Sequence, residues 1–405
     1  MSNLFQGISS GLAELKNYYQ GPMVDQFNED LPVLRGSEKV KQGWSGYQVV
    51  RPLRVRRNQG IGATSDGGTL PAIGRQTTVQ ASFQSAFNYL RFGVTGPMIK
   101  ASQNDRGSFV RSAAYELEMG YKDLSSDINR QLSWDGSGTL AQVNTAAVAS
   151  TTLVVKGRES VEPALKFLDV GMMIDIYNGS TAVATSIQIN AISGSPTDST
   201  ATLTLSTAVN CSADDKIIRA GSYGYEMKGL LYSLDGGTST IYGVDRSTYQ
   251  SYQGNVVDLN NAQQLKLDTL QQAWNAGMNR GGAKYSAIYC DFDSLRMYQK
   301  LLTADKRYNN TVKGDGGFAE KDKFYLDFNG IAMVPDKDCP RRFFFLTENS
   351  WKQYVLSDMA FADESGSEFI AQTSSDQFEV RVRYFAQMFN EQPSAQAVVQ
   401  EYLAP

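Results

Sequence analysis

Residues 47–57 read YQVVRPLRVRR and residues 79–91 read VQASFQSAFNYLR, and this pair of runs governs the architecture of the chain. In each run the side chains alternate between two faces, which is typical of β-strands. The polar tip at residues 58–74 contains five glycines and no regular pattern. The sequence therefore predicts a long two-stranded hairpin over residues 45–95. Because an isolated hairpin is only marginally stable in water, we expect it to pack on another surface, such as a second subunit.

Arginine is concentrated in this hairpin region, where Asp66 is the single acidic residue. The six arginines are Arg51, Arg54, Arg56, Arg57, Arg75 and Arg91. One interpretation is a charged strand edge that resists edge-to-edge aggregation. A second is an arm that reaches an acidic neighbour, where the guanidinium fork favours ion pairs between subunits. Contact with DNA is a third interpretation, weakened by the net charge of −4. We predict that these six residues make intersubunit contacts.

The clearest helical pattern lies at residues 104–134. Seven apolar residues from Phe109 to Leu132 follow one another at steps of three or four, the spacing of one helical face. Asn104 or Asp105 can cap the start of this helix, and the Asp-Gly pair at 135–136 ends it. Such a helix would be roughly 45 Å long at its rise of about 1.5 Å per residue. We therefore expect it to act as a spine for the fold.

Composition changes at residues 138–221. This stretch has only two aromatic residues, Phe167 and Tyr177, and its short β-branched runs are separated by turn residues. No helical periodicity interrupts them. The pattern predicts an inserted all-β domain, a small barrel or sandwich. Mixed helix and strand patterns resume at residues 222–340, and a further strong alternation follows at residues 378–384.

Composition also excludes several function classes. The chain has 405 residues, 41% of them apolar, and no histidine, which excludes Ser-His-Asp, Cys-His and HExxH sites. The three cysteines Cys211, Cys290 and Cys339 are widely spaced, and we expect them to be buried in a reducing compartment. No nucleotide-binding or calcium-loop spacing is present. We expect no enzyme activity, no metal and no cofactor. The sequence shows no membrane span and no signal-peptide pattern, so we expect no membrane partner.

Three short segments and the order of the elements carry a resemblance to a known family. Residues 229–243 read GLLYSLDGGTSTIYG and are followed by Arg246, residues 378–384 read FEVRVRY, and residues 397–403 read AVVQEYL. Together with the succession of arm, hairpin, spine helix and α/β region, they resemble the major capsid (coat) protein of tailed bacteriophages, which has the Hong Kong 97-type fold.

The resemblance implies an α+β fold with five parts. They are an N-terminal arm at 1–44, an extended loop at 45–95, a peripheral domain at 96–137 and 336–405, the inserted β-domain at 138–221 and an axial domain at 222–335. It also implies self-assembly as hexamers and pentamers into an icosahedral shell around double-stranded DNA. The implied location is the virion capsid, assembled in the cytoplasm of a host bacterium. The implied partners are further copies of the chain, a separate scaffolding protein, a portal protein and the packaged DNA, with a decoration protein as a further candidate.

Some members of that family are cross-linked through a lysine in the extended loop. Residues 43–99 of this chain contain no lysine, so we expect no such isopeptide bond. Two alternative functions stay open. One is an encapsulin-type compartment of the same fold that holds a cargo enzyme. The other is a β-rich adhesin or carbohydrate-binding protein built around residues 138–221, which the scarcity of aromatic residues and the long helix disfavour.

Overall fold

The computed structural model describes residues 31–97, 108–159, 162–235, 237, 239–305, 326–347, 349–361, 370–371 and 376–403. The α-helices of this described part are α1 Pro32–Gly36, α2 Ser108–Ser133, α3 Leu230–Leu234, α4 Leu267–Gly281 and α5 Phe292–Asp305. Its earlier strands are β1 Glu38–Val40, β2 Trp44–Ser45, β3 Gln48–Arg56, β4 Thr77–Gln84, β5 Ala86–Thr95, β6 Thr139–Val143, β7 Ala147–Lys156, β8 Met173–Asn178, β9 Thr181–Ser193, β10 Thr200–Cys211 and β11 Lys216–Arg219. Its later strands are β12 Thr240–Ile241, β13 Val244–Asp245, β14 Asn255–Asp258, β15 Tyr285–Cys290, β16 Leu326–Phe328, β17 Ile331–Pro335, β18 Phe343–Thr347, β19 Trp351–Phe361, β20 Ile370–Ala371, β21 Gln377–Asn390 and β22 Ala397–Gln400. Among these described helices, none has both the length and the hydropathy of a membrane span.

The first sheet has the strand order β1-β19-β21-β20, and β5 also pairs with β21. Helix α2 packs on this sheet, because its residues Leu124, Ile128 and Leu132 are buried in one apolar cluster with Val382 and Tyr384 of β21. The predicted spine helix is thus confirmed from Ser108 onward, while residues 98–107 lie outside the described residues. Of the predicted N-terminal arm, the described part is α1 and β1, and β1 runs parallel to β19.

The second sheet has the order β14-β22-β18-β15-β17-β16, and its apolar cluster includes residues of α4 and α5. Its composition corrects the predicted division of the chain. The sequence assigned residues 336–405 to the peripheral domain, yet β18 and β22 lie inside this sheet beside strands of the predicted axial domain. The physical reason is that β22 pairs in parallel with β14, about 140 residues earlier in the chain, and local patterns carry no record of such distant pairing.

Six strands within the predicted insertion, β6 to β11, close into a barrel in the order β10-β7-β6-β11-β8-β9. The barrel has its own apolar cluster, separate from those of the two sheets. Alternate residues of its strands point inward, as Leu203 and Leu205 of β10 do, because successive side chains on a strand face opposite sides. Closure leaves no free strand edge in the barrel.

Strands β3 and β4 form the predicted hairpin and pair from Gln48↔Gln84 to Arg56↔Thr77, with a register shift between Arg54 and Arg56. The second predicted run does not continue as one strand, however. It breaks at Ser85, after which β5 pairs with β21 in the first sheet. The buried face also changes there: Phe83 is buried, whereas Phe87 and Tyr89 are exposed. The alternation of side chains in the sequence does not reveal this change of sheet. A strand that exchanges one partner for another keeps its period of two.

Candidate functional site

The hairpin is not free along its length, because its inner face packs on the body of its own chain. Phe83 stacks on Phe389 with ring centroids 4.7 Å apart and meets Tyr354 edge-on at 5.2 Å. Further along, the Ser251 hydroxyl donates a hydrogen bond of 2.6 Å to the Val55 carbonyl. The hairpin is therefore held against the body as far as Val55, and the tip, residues 58–74, lies beyond this point.

Three of the six predicted arginines have partners within the chain. Arg51 Nη2 lies 2.8 Å from Glu391 Oε1, and this hydrogen bond raises the pKa of the Arg51 guanidinium. Arg56 lies over the Tyr249 ring at 5.4 Å. Arg91 Nε lies 2.6 Å from the Oε1 atom of Glu379, whose side chain is buried. All three arginines are nevertheless exposed.

The other three, Arg54, Arg57 and Arg75, are exposed and form no ion pair with any described residue. The six do not form one patch. Arg51, Arg54, Arg56 and Arg57 line a groove of about 950 Å³ between β3 and the body. Arg75 directly follows the tip, and Arg91 lies in the first sheet opposite Arg381. Their intersubunit role stays a prediction, and Arg57 and Arg75, which flank the tip, are the two best placed for it.

The tip has a defined shape of its own. Its two sides meet where Gly60 approaches Gly74, since a Cβ atom on Gly60 would lie 2.7 Å from the Gly74 nitrogen. The Asn58 side chain accepts a 2.8 Å hydrogen bond from the Gly60 N–H. This close approach explains two of the tip glycines, because any side chain there would collide with the opposite strand.

The tip also displays apolar side chains that sequence reasoning missed. Ile61, Leu70 and Ile73 are 83%, 79% and 103% exposed. Single exposed apolar residues are common on proteins, but three on one short projection are typical of an interaction surface. These three residues follow no periodic pattern. In the sequence they stand out only as apolar residues in an otherwise polar loop.

A second groove, of about 1370 Å³, lies at the opposite end of the hairpin; we call it the root groove. One wall is the end of the hairpin and β5, a second is α2, and a third belongs to the barrel and the segment after it. Its exposed aromatic side chains are Phe87, Tyr89 and Tyr225. Phe87 and Tyr89 both pack edge-on against Phe385, at 5.0 and 5.4 Å. The lining of the root groove thus combines apolar, aromatic and polar residues.

Buried ion pairs fix the barrel beside this groove. Arg130 of α2 lies 2.6 Å from Glu226 and 3.1 Å from Asp127. Burial raises the pKa of the Glu226 carboxyl despite the nearby Arg130. For Asp127, burial acts in the same direction but is outweighed by Arg130 and Arg219, which lower its pKa.

The second anchor is Arg158, which lies between the rings of Trp134 and Phe167 at 4.1 and 4.2 Å. Its guanidinium makes two hydrogen bonds, of 2.7 and 2.9 Å, to the Glu162 carboxylate. Burial alone would raise the pKa of Glu162, but Arg158 and Lys166 outweigh it and lower the pKa to about 2. The Arg158–Glu162 pair lies within the inserted region, and the contact of Arg158 with Trp134 joins this region to the end of the spine helix.

Thiols and carboxylates are among the side chains that can bind a metal ion. No group of three or more His, Cys, Asp or Glu residues in the described part of the chain could hold a metal ion. The three cysteines are buried and unpaired, and burial raises the pKa of each thiol. A buried thiol with a raised pKa is a poor nucleophile.

No protein-family model and no curated protein sequence matches this chain. Among solved structures, the cyanophage A-1(L) capsid asymmetric unit matches with a TM-score of 0.60 and 13% identity, over 96% of this chain and 97% of that chain. The capsid of the native GTA particle matches with a TM-score of 0.51 and 8% identity, over 98% and 100%. The capsid of the empty GTA particle gives 0.52 and 7%, over 98% of both chains. The predicted fold is confirmed: the chain has the mixed helix and sheet fold of phage capsid proteins.

Proposed function

We propose that this chain is a major capsid protein that assembles as hexamers and pentamers into an icosahedral shell around a double-stranded DNA phage genome. The observation that carries the proposal is the likeness of fold to the cyanophage capsid subunit, which extends over 96% of this chain. Sequence identity is only 13%, so the likeness concerns architecture and the assembly itself is inferred.

The surfaces of the chain support this role. A hairpin that ends in three exposed apolar residues leaves apolar area in water, and association of copies would bury it. Arg57 and Arg75 beside the tip add charge that can pair across an interface. The mildly acidic chain, with its net charge of −4, suits a wall that encloses DNA without binding it tightly.

In this proposal the protein is structural and has no catalytic activity. It would assemble in the cytoplasm of a host bacterium and end in the virion capsid. Its main partner is itself. A separate scaffolding protein and a portal protein would guide assembly, a decoration protein is a further candidate, and the packaged DNA would be held without sequence specificity. The barrel would brace the capsomer.

The strongest alternative is an encapsulin-type compartment, which would use the same fold to enclose a protein cargo. A β-rich adhesin or carbohydrate-binding protein is the alternative from another class. A phage capsid encloses DNA and an encapsulin-type compartment encloses protein, whereas an adhesin forms no shell. Particle formation and particle content therefore separate all three functions.

The test is to express the chain alone and together with a candidate scaffolding protein and to examine the product by electron microscopy. We expect closed shells of uniform size. Particles isolated from infected cells should contain nuclease-resistant DNA, whereas a protein cargo in place of DNA would favour the compartment. Discrete monomers under all assembly conditions would refute both shell functions.

A further inference from the structure

We propose that the groove between β3 and the body of the chain, which we call the arginine groove, binds a single linear chain of phosphate groups. The groove has a volume of about 950 Å³. The charged side chains in its lining are five arginines and one carboxylate, namely Arg51, Arg54, Arg56, Arg57, Arg280 and Glu391. The groove belongs to the single subunit, so this binding does not depend on the proposed shell function.

Glu391 neutralises only one of these five arginines. It lies 2.8 Å from Arg51 Nη2. On the body side of the groove, Arg280 donates hydrogen bonds of 2.8 Å to Asn255 Oδ1 and to the Gln250 carbonyl. Both of these acceptors are uncharged, so they hold the guanidinium in place and leave its positive charge without a counterion in the described part of the chain.

The remaining three arginines also keep their charge. Arg56 lies over the Tyr249 ring, and Arg54 and Arg57 form no ion pair with any described residue. Four guanidinium groups without an anionic partner therefore line one groove, and all four are exposed. Like charges held close together repel one another, and an anion with several charges relieves that repulsion at each of them.

A β-bulge brings the hairpin arginines to the same groove. In a regular strand the side chains of Arg54 and Arg57 would point to opposite faces. The register of the hairpin shifts between Arg54 and Arg56, so β3 has one more residue than β4 there. A bulge of this kind redirects the side chains that follow it. Arg54, Arg56 and Arg57 can therefore all line the groove.

The shape of the groove indicates a linear ligand that is one strand wide. Arg51 and Arg57 are six residues apart, about 20 Å at the usual rise of a strand. A groove of this length and of about 950 Å³ has a mean width of about 7 Å. Double-helical DNA does not fit, because its major groove alone is about 12 Å wide. A single phosphate chain fits and can meet several arginines in succession.

An acidic peptide added as a further strand is a poorer match. Strand β2 pairs with β3 only at Gln48 and Val49, and no described strand pairs with that edge of β3 further along. The open edge contains Pro52, which has no N–H to donate, and it is dense in arginine. Both features disfavour pairing with another strand. A phosphate chain needs no backbone pairing, because its oxygens accept hydrogen bonds from guanidinium groups.

The first test measures binding to the unassembled subunit. The two sources of such a chain are single-stranded nucleic acid and linear inorganic polyphosphate, so the probes are an oligothymidylate and a polyphosphate of about twelve phosphates each. Each contact with a single strand contributes about −0.7 to the slope of log K against log salt, so four arginines predict a slope of about −3 between about 50 and 200 mM salt. A DNA duplex of the same length should bind at least about tenfold more weakly. Binding of one probe alone supports the proposal and identifies the source.

The second test removes one groove arginine, Arg54→Gln, and uses Arg296→Gln as the matched control. Arg296 is an exposed residue of α5 that lines neither groove, and its loss changes the net charge equally. We expect Arg54→Gln to weaken binding about tenfold, the effect of losing one charged hydrogen-bonding group, and to reduce the slope by about 0.7. Arg296→Gln should change neither. Because Arg54 is exposed, its substitution should leave the unfolding midpoint unchanged.

The third test should increase binding. Glu391→Gln removes the carboxylate from the lining of the groove and releases Arg51 to bind the ligand. We expect a severalfold tighter complex and a slope steeper by about 0.7. Because Glu391 also contacts Lys352 and Tyr354, the unfolding midpoint of this variant is measured alongside. Tighter binding by a folded variant cannot be explained by a loss of structure.

The contrary outcomes are equally definite. The proposal is wrong if neither phosphate chain binds at about 50 mM salt, if Arg54→Gln and Arg296→Gln bind alike, or if a polyglutamate peptide of equal charge binds more tightly than both chains. None of these results affects the shell function. A subunit that binds the probes but never assembles would refute the shell function and leave the arginine groove as assigned.

Discussion

The side-chain amide of Asn129 lies against both carboxylate oxygens of Asp336, with its Nδ2 atom 3.0 Å from Oδ1 and 2.9 Å from Oδ2. The same nitrogen lies 2.8 Å from Asp338, while Asn129 Oδ1 accepts a hydrogen bond from the Leu34 N–H of α1. Asp336 in turn accepts from the Val33 N–H. One amide on the spine helix thus donates hydrogen bonds to a pair of aspartates and fastens the described end of the N-terminal arm.

Replacement of this amide by a carboxylate should destabilise the subunit strongly. Asn129→Asp places a third negative charge beside Asp336 and Asp338 and removes their shared donor, so we expect a loss of about 3 kcal/mol in the free energy of unfolding. Urea denaturation of the unassembled subunit measures it. Asn144→Asp, at an exposed position, is the control and should change stability by less than about 0.5 kcal/mol. Equal effects of the two substitutions would contradict the role assigned to Asn129.

Acidification from pH 7 toward pH 5 should stabilise the folded subunit. Burial, followed by the charge of Asp338, raises the pKa of Asp336 to about 6. Burial likewise raises the pKa of Asp291 to about 6. Because an unfolded Asp has a pKa of about 3.9, the folded state binds more protons in this window, and stability rises as the pH falls.

The opposite trend should follow at lower pH. Because the folded pKa of Glu162 is about 2, the stability that its ion pairs contribute begins to fall below the unfolded Glu value of about 4.3 and is lost as the pH approaches 2. Thermal unfolding midpoints across pH 3–8 should therefore peak near pH 5, and Asp336→Asn should flatten the slope between pH 5 and pH 7. An unchanged slope in that variant would show that Asp336 does not titrate there.

The Arg158 anchor should depend on the shape of the guanidinium and not only on its charge. Arg158→Lys keeps the charge but loses the paired hydrogen bonds to Glu162 and the stacking between Trp134 and Phe167, so we expect a loss of about 2–3 kcal/mol in unfolding free energy. Arg296→Lys is the matched control, because Arg296 also binds one carboxylate through two nitrogens but is exposed. It should lose less than about 0.5 kcal/mol. Comparable losses in urea denaturation would refute the stacking argument.

Mature particles should release intact single subunits on a denaturing gel. The hairpin and its flanks, residues 43–99, contain no lysine, so no amine is present there to form an isopeptide bond. Boiled particles should give one band near 44.5 kDa, and mass spectrometry should find no linked peptides. A covalent ladder from the wild-type chain would contradict this prediction.

Much of the fold could be predicted because local patterns determine it. The helical periodicity reappears in the structure as α2 Ser108–Ser133, and the first alternating run of the hairpin reappears as β3 Gln48–Arg56. The partners of strands could not be predicted in this way. The period of two continues through Ser85 although the strand changes sheets there, and the apolar run of β22 does not show that it pairs with β14.

The candidate surfaces were predicted less completely than the fold. The six arginines could be recognised because they are clustered in the sequence. Their partners could not, because Arg51 and Arg91 pair with Glu391 and Glu379, about 290–340 residues away in the chain. The exposed tip residues Ile61, Leu70 and Ile73 are not periodic, so nothing local distinguished them from buried residues. The root groove exists only because three distant elements meet, and a sequence carries no direct signal of such a volume.

The barrel has a consequence for the order in which the chain can fold during synthesis. All six barrel strands lie between residues 139 and 219, whereas the second sheet needs strands from residue 255 to residue 400. A nascent chain can therefore close the barrel while β18 and β22 have not yet left the ribosome, since domains generally fold as units during translation. An early, edgeless module of this kind would keep its own strands from pairing with those of neighbouring nascent chains, at the stage when subunits destined for a crowded assembly are most prone to aggregate.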